Sequence, residues 1–426
     1  MKIVFIGMED FFISKNNRGH LKTMKEYLNL NDVLEARERI KDICINTKLI
    51  YSSEYSGECG NEVYIKPENL QITGAFKLRG ALNKVCKLSD ENKKKGLIAS
   101  SAGNHAQGVA YAASKLGIQA TIVMPESTPL IKVQATKNYG ANVVLKGKIY
   151  DEAYEEAKRL EKENGYTFVH PFDDVDVMAG QGTIALEIIE ELKDVDAILV
   201  PIGGGGLISG IAVAAKSMNP NIEVIGVQAE GANPMQCSFK NGKLVCAENI
   251  DTIADGAAVK TPGNITFEVI KRYVDDIVTV SDKEIMDAVY ILMEKHKLVV
   301  EATGAMSLAA LSKLNFKGKK VVSIISGGNI DVVTMSALLN NGLVSRGRIF
   351  CFSVNLKDTP GQLLEISKIL SEKSANVIKL DHNQFKAIDR LKHVVLEVTV
   401  ETNGHDHIEE ITRALNEHGY NVEKVY

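Results

Sequence analysis

From about residue 95 onward, short apolar runs alternate with longer stretches whose apolar positions recur at helical spacing. Leu97–Ala99, Ala120–Met124, Asn142–Leu145, Phe168–His170, Ala197–Ile202, Glu223–Gln228 and Lys320–Ile325 read as strands. Between them, helices are predicted over 104–116, 130–139, 150–163, 183–192 and 207–218, the first three closed by Gly117, Gly140 and Gly165. An earlier helix starts near Leu28, with Asn31 as its cap and Val33, Leu34, Ile40 and Ile43 as an imperfect apolar stripe. Several strands are apolar throughout. That predicts an α/β fold with parallel sheets covered on both faces.

The pattern changes after about Gly347. Ile349–Leu356 alternates as a strand, Asp358–Gly361 is a turn, and Gln362–Glu372 is an amphipathic helix. Val377–Leu380 and His393–Val400 read as strands, Ile408–His418 as a helix and Asn421–Val425 as a strand. This is a βαββαβ order, a ferredoxin-like unit. The polar stretch Asn341–Arg348 is the expected boundary. Three segments follow: an extension over 1–27 with a short strand at Met1–Gly7, a main domain over 28–346, and a tail domain over 347–426.

Composition narrows the function class. The chain has 426 residues, 45% hydrophobic and 24% charged, which excludes disorder as the main state. A net charge of −4 argues against a nucleic-acid partner. The six cysteines contain no C-x-x-C pair, so the reading is a reducing cytoplasm. No metal is expected, and His405 and His407 are read as a solvated polar loop. The segment Ala197–Ala215 is uncharged and 19 residues long, but Pro201 and four consecutive glycines make a strand, loop and helix the better parse than a membrane span. Lys93-Lys94-Lys95 reads as a solvated turn.

Four segments carry candidate chemistry. In Thr73–Ala81, Thr73 can cap a helix, and Lys77 sits beside Phe76 in a sparsely charged stretch. A desolvated lysine is a usable amine nucleophile or base, although a surface lysine on a helix would look the same. In Ser100–Gly108, small residues end a strand and open a helix; Ser101, Ala102, Gly103, Asn104 and His105 would turn free N–H groups toward a carboxylate or phosphate. Gly203, Gly204, Gly205 and Gly206, followed by Leu207, weaken both flanking elements and have no packing rationale. They suit backbone amides wrapped around an anion. Neither G-x-x-x-x-G-K-[ST] nor G-x-G-x-x-G is satisfied. Ser326-Gly327-Gly328-Asn329 is another glycine turn at a strand's carboxyl end, where open α/β sheets bind ligands.

Together and in this order, the four segments resemble the pyridoxal-phosphate enzymes of the tryptophan-synthase β type (fold type II), most closely the threonine/serine dehydratases, over about residues 28–345. The resemblance implies a two-subdomain fold and pyridoxal 5'-phosphate as cofactor. It implies that Lys77 forms the Schiff base with the cofactor aldehyde and Phe76 packs near the ring. Asn104 would bond the ring hydroxyl, Gly203–Gly206 with Leu207 the phosphate, and Ser326 the pyridine nitrogen. Ser101–His105 would hold the substrate carboxylate. The implied reaction is dehydration of L-threonine to 2-oxobutanoate and ammonia, with L-serine as a further substrate. Lys77 would take the α-proton, and the cofactor phosphate would protonate the leaving hydroxyl. A serine-preferring dehydratase and a non-catalytic metabolite sensor are the alternatives.

The chain departs from the family pattern at three points. Ala75 replaces a serine common in the family. Ala102 stands where related serine racemases carry a second acid/base serine, which favours dehydration over racemisation. Gln236 stands where a second carboxylate beside Glu230 would complete a cation site. The tail resembles an ACT regulatory domain, with an amino-acid effector expected around Asp358, Pro360, Gly361 and Asn376. The resemblance also implies a homodimer or homotetramer. It accommodates either isoleucine synthesis or threonine breakdown.

Overall fold

The computed structural model describes residues 27–383 and 393–426. The expected extension and its strand at Met1–Gly7 lie outside the described residues, save Tyr27.

Six strands form the larger sheet, in the order Ile50–Tyr51, Glu62–Pro67, Lys320–Ile325, Ala197–Pro201, Glu223–Ala229 and Asp276–Val280. All neighbours are parallel except the first pair, which is antiparallel. The expected parallel sheets are borne out, with this edge pair as the exception. The link through the helix Ser53–Cys59 is shorter than a parallel crossover needs. The smaller sheet is all parallel, in the order Asn142–Leu145, Ala120–Met124, Leu97–Ser100 and Thr167–Phe168. Both sheets are covered on two faces. One face of the larger sheet packs Val63, Leu199, Val227 and Val321, and the other packs Ile198, Val200, Val224 and Ile324.

The third sheet runs Asn376–Asn383, His393–Glu401, Ile349–Lys357, Val422–Lys424, antiparallel throughout. In chain order its strands are thus arranged 2-3-1-4, which bears out the ferredoxin-like reading. Phe350, Phe352, Val354, Leu396 and Val398 pack on the helices Gln362–Glu372 and His405–Glu417.

Several local expectations are corrected. The first helix, Leu30–Ile40, is capped by Asn29 rather than Asn31: Asn29 and Asp32 bond reciprocally to each other's backbone N–H. The helix expected from Thr183 begins at Val175, capped by Asp174. Gly180 and Gly182 hide that start, because they serve backbone contact rather than a turn. A Cβ on Gly180 would lie 2.5 Å from the Arg79 carbonyl, and one on Gly210 would lie 2.1 Å from that of Met178. Three helices (Lys77–Cys86, Val175–Glu191 and Gly206–Met218) therefore meet backbone to backbone. Lys93–Lys95 ends the helix Asp90–Lys95, where cations complement the helix dipole. The expected boundary Asn341–Arg348 is mostly the end of the helix Val332–Ser345, with the chain turning at Gly347 (φ 62°). His405 and His407 open the helix His405–Glu417 instead of lying in a loop. Each bonds a backbone carbonyl, of Ser345 (3.1 Å) and Lys373 (2.6 Å) respectively.

Candidate active site

The four candidate segments converge at carboxyl ends of the two parallel sheets. Leu97–Ser100 leads into Ser101–Asn104, Ala197–Pro201 into the glycine run, and Lys320–Ile325 into Ser326. The Thr73 segment joins the Ser326 segment directly. Ala75 bridges Gly327, the Phe76 N–H donates to the Ser326 carbonyl (3.1 Å), and the Gly328 N–H donates to that of Gly74 (2.9 Å). The expected cap at Thr73 is corrected by this pairing, since the helix begins only at Lys77 and carries no side-chain cap.

Lys77 Nζ donates to the Pro171 carbonyl (2.8 Å) and lies 5.3 Å from the centre of the Phe76 ring. Burial lowers its proton affinity to about 8, against the opposing pull of Glu301. Two residues on, Arg79 is held in a buried ionic cluster. Its guanidinium donates twice to Glu68 (2.7 and 2.8 Å) and twice to Glu187 (2.6 and 2.9 Å). Lys66 also donates to Glu187 (2.5 Å) and to the Thr47 carbonyl. Two cations thus meet two carboxylates.

Asn104 opens the helix Asn104–Lys115. Its Nδ2 donates to Glu301 Oε1 (2.7 Å), and its Oδ1 accepts from Asn329 Nδ2 (2.8 Å). Beside it, the Gly103 N–H donates to Ser101 Oγ (3.2 Å), so that one amide is spent inside the turn and is not free as expected. His105 is buried, and its Nε2 meets the Val169 carbonyl at 2.8 Å. Burial drives its proton affinity down to about 3, so the ring is neutral. The turn therefore offers backbone rather than the His105 side chain.

The glycine run has a packing rationale after all. A Cβ on Gly204 would lie 2.3 Å from the Phe172 ring, and Gly205 has φ 98° with Met235, Thr266 and Ile270 around it. Thr266 Oγ1 donates to the Gly204 carbonyl (2.7 Å) and the Ser209 N–H to that of Gly205 (3.0 Å), so these two carbonyls of the loop are satisfied. Among the described residues, no protein acceptor takes the N–H of Gly203, Gly204, Gly205, Gly206 or Leu207. Amides left unspent at a helix N-terminus suit a phosphate. With the partly buried, weakly basic amine of Lys77 nearby in the fold, the donor set fits pyridoxal phosphate.

Two residues of this constellation carried no expected role: Asn329, which closes the fourth motif, and Glu301, which lies outside all four. Glu301 is the single charged residue from Leu298 to Leu311, and a lone carboxylate in an apolar run was the available signal. Away from the centre, Glu230 pairs with Lys313 (3.6 Å), and the Gln236 side chain donates to the Ile277 carbonyl (2.8 Å). In the tail, the register separates the expected effector residues. Asn376 pairs with Glu401 beside Ile349, whereas Asp358, Pro360 and Gly361 follow Lys357 at the other end of that nine-residue strand.

Comparison with known proteins agrees with this geometry. The profile "Pyridoxal-phosphate dependent enzyme" matches residues 40–327. An L-threonine ammonia-lyase of Thermotoga maritima is 50% identical over 396 residues, covering 93% of this chain and 99% of that one. Among solved structures, processed threonine deaminase isoform 2 from Solanum lycopersicum matches with TM-score 0.71 and 38% identity, over 78% of this chain and 91% of that one. Maize serine racemase matches with TM-score 0.71 and 35% identity, over 75% of this chain and 99% of that one.

Proposed function

This chain belongs to the pyridoxal-phosphate dependent enzyme family, and from that premise we propose that it is an L-threonine ammonia-lyase that also accepts L-serine. The observation that carries the reading is the nearly end-to-end likeness to the Thermotoga maritima enzyme. Pyridoxal phosphate, when bound, supplies an electron sink for charge developing at the amino acid's α-carbon.

The chain's own residues divide the remaining work. The N–H groups of Gly203–Gly206 and Leu207 would hold the phosphate, Lys77 would carry the aldehyde carbon, and Phe76 would flank the ring. Asn104 would meet the ring hydroxyl and Ser326 the pyridine nitrogen. A hydroxyl there, in place of a carboxylate, imposes no ring cation. That suits an elimination in which charge leaves promptly with the β-hydroxyl. The turn from Ser101 through Ala102 and Gly103 to His105 would orient the substrate carboxylate through backbone. Lys77 Nζ is the base for the α-proton, and its lowered proton affinity keeps a usable fraction neutral near neutral pH.

Residues 28–346 form the catalytic part and 347–426 a regulatory part. An amino acid bound to both the Asp358–Gly361 turn and Asn376 would draw them from two copies of the chain, in keeping with a homodimer or homotetramer.

The test is 2-oxo acid release from L-threonine and L-serine in cofactor-loaded protein, with and without added amino acids. Threonine is expected to be the better substrate, and an effector to shift its KM or kcat. Because Ala102 offers no second acid/base, D-serine formation is expected to stay far below deamination. No turnover of either substrate, or racemisation rivalling deamination, would overturn the reading.

A further inference from the structure

Glu301 is buried, directly before the helix Ala302–Ala309, and its backbone N–H donates to the Gly327 carbonyl (3.2 Å). Its Oε1 accepts from Asn104 Nδ2 (2.7 Å), and Asn104 Oδ1 accepts from Asn329 Nδ2, which also donates to the Thr73 carbonyl (2.7 Å). Gly327 leaves the space for this contact: a Cβ there would lie 2.5 Å from Glu301 Oε1 and 3.0 Å from Asn104 Nδ2. The Asn104 carboxamide is thereby fixed at both ends. Flipping it would set one NH₂ against that of Asn329 and turn the carbonyl toward a carboxyl. One N–H of Asn104 remains for a ligand.

A carboxyl is a costly choice for this place. A buried charge is disfavoured, and a glutamine would accept the same hydrogen bond. The groups that face Glu301 are mixed in sign. Asp255 opposes its ionisation, whereas Asn104, Lys132 and Lys77 favour it. Lys132 and Asp255 are themselves paired at 3.0 Å. Burial, followed by Asp255, raises the proton affinity of Glu301 to about 7, so its charge changes within the working pH range.

We propose that Glu301 is a positioning residue that acts through Asn104, fixing the amide that meets the cofactor and setting the proton affinity of the cofactor group bonded there. The proposal rests on the reading that Asn104 meets the ring hydroxyl. An ionised Glu301 places a negative charge one group away and so disfavours loss of a proton from the cofactor side. Neutralising Glu301 lifts that restraint.

The experiment is a pH titration of the visible absorption of the holoenzyme, for wild type, Glu301→Gln, Asn104→Ala and the double variant. In Glu301→Gln the spectral midpoint is expected about one pH unit lower, a tenfold change in proton affinity. kcat should fall with KM held within about twofold, and the limb of the kcat profile near neutrality should disappear. In the Asn104→Ala background the same change should move the midpoint by less than about a third as much. Gly327→Ala, whose Cβ would press on both the Glu301 carboxyl and the Asn104 amide and so part them, should displace the midpoint in the same direction. Superimposable titrations of wild type and Glu301→Gln would overturn the proposal, as would an undiminished shift without Asn104. The readout does not depend on the substrate. A holoenzyme that shows the shift but turns over no threonine would overturn the substrate assignment and support the role of Glu301.

Discussion

Lys77→Ala is expected to remove the visible absorption of the bound cofactor and to cut threonine turnover by at least about a thousandfold, since nucleophile and base are lost in one residue. The cofactor-free protein should respond in the opposite direction. Burial lowers the proton affinity of Lys77 from the ordinary 10.5 to about 8, so below that range the folded state holds a charge it disfavours. Between about 8 and 10.5 the unfolded chain binds the proton that the folded chain has released, and wild-type stability rises with pH across that window. The alanine variant carries no such charge, is spared this penalty, and should be the more stable protein at neutral pH, by up to about 3 kcal/mol. Denaturant titrations of both apoproteins at pH 7 and pH 10 check the sign. A variant that lost activity and stability together would show a structural lysine, and one that kept turnover would displace Lys77 from the reaction.

The contrast between Lys77 and Glu301 shows how much of this site a single sequence reveals. Lys77 was legible because its motif is local: small residues, an aromatic and a lysine within a few positions, ahead of an amphipathic helix. The glycine run and the Ser326 turn were legible for the same reason, each following an apolar strand. Glu301 lies 197 positions from Asn104, and nothing local marks their meeting. The same holds for Asn329 on Asn104, and for the two ends of the tail sheet that separate Asn376 from Asp358. The fold follows the same division. Strands with uninterrupted apolar runs and helices closed by glycine were read with nearly their observed limits. The helix from Val175 was cut short because glycine in a helix marks a turn by local rules but close helix approach in three dimensions. At the glycine run the two meanings coincide. Gly204 is required by the Phe172 ring pressed against it, and the unspent amides follow from the same absence of side chains.

Arg79→Met should give the largest loss of stability of any single change near the site. Arg79 is fully buried and satisfies both Glu68 and Glu187; burial resists the charge on Glu68, yet the guanidinium and its hydrogen bonds hold that carboxyl below the usual carboxylate range. Methionine matches much of the side chain's volume but leaves the buried Glu68 and the partly buried Glu187 to share Lys66, whose own proton affinity is lowered by burial. Breaking a buried ion pair from one side typically costs about 3–5 kcal/mol. Protonating the stranded carboxylates relieves part of that cost, so the deficit against wild type should shrink as pH falls from 8 to 5. Denaturant titration at both pH values measures it. Removing one carboxylate together with the arginine, in Glu68→Gln/Arg79→Met, should recover most of the loss, because it leaves Lys66 paired with Glu187 and the penalty lies in unpaired charge rather than in missing contacts. Arg79 shares the first turn of its helix with Lys77, so Arg79→Met should also weaken cofactor retention, whereas the double variant should regain cofactor along with stability. A double variant no more stable than Arg79→Met would mean that the cluster is held by its geometry and not by charge balance.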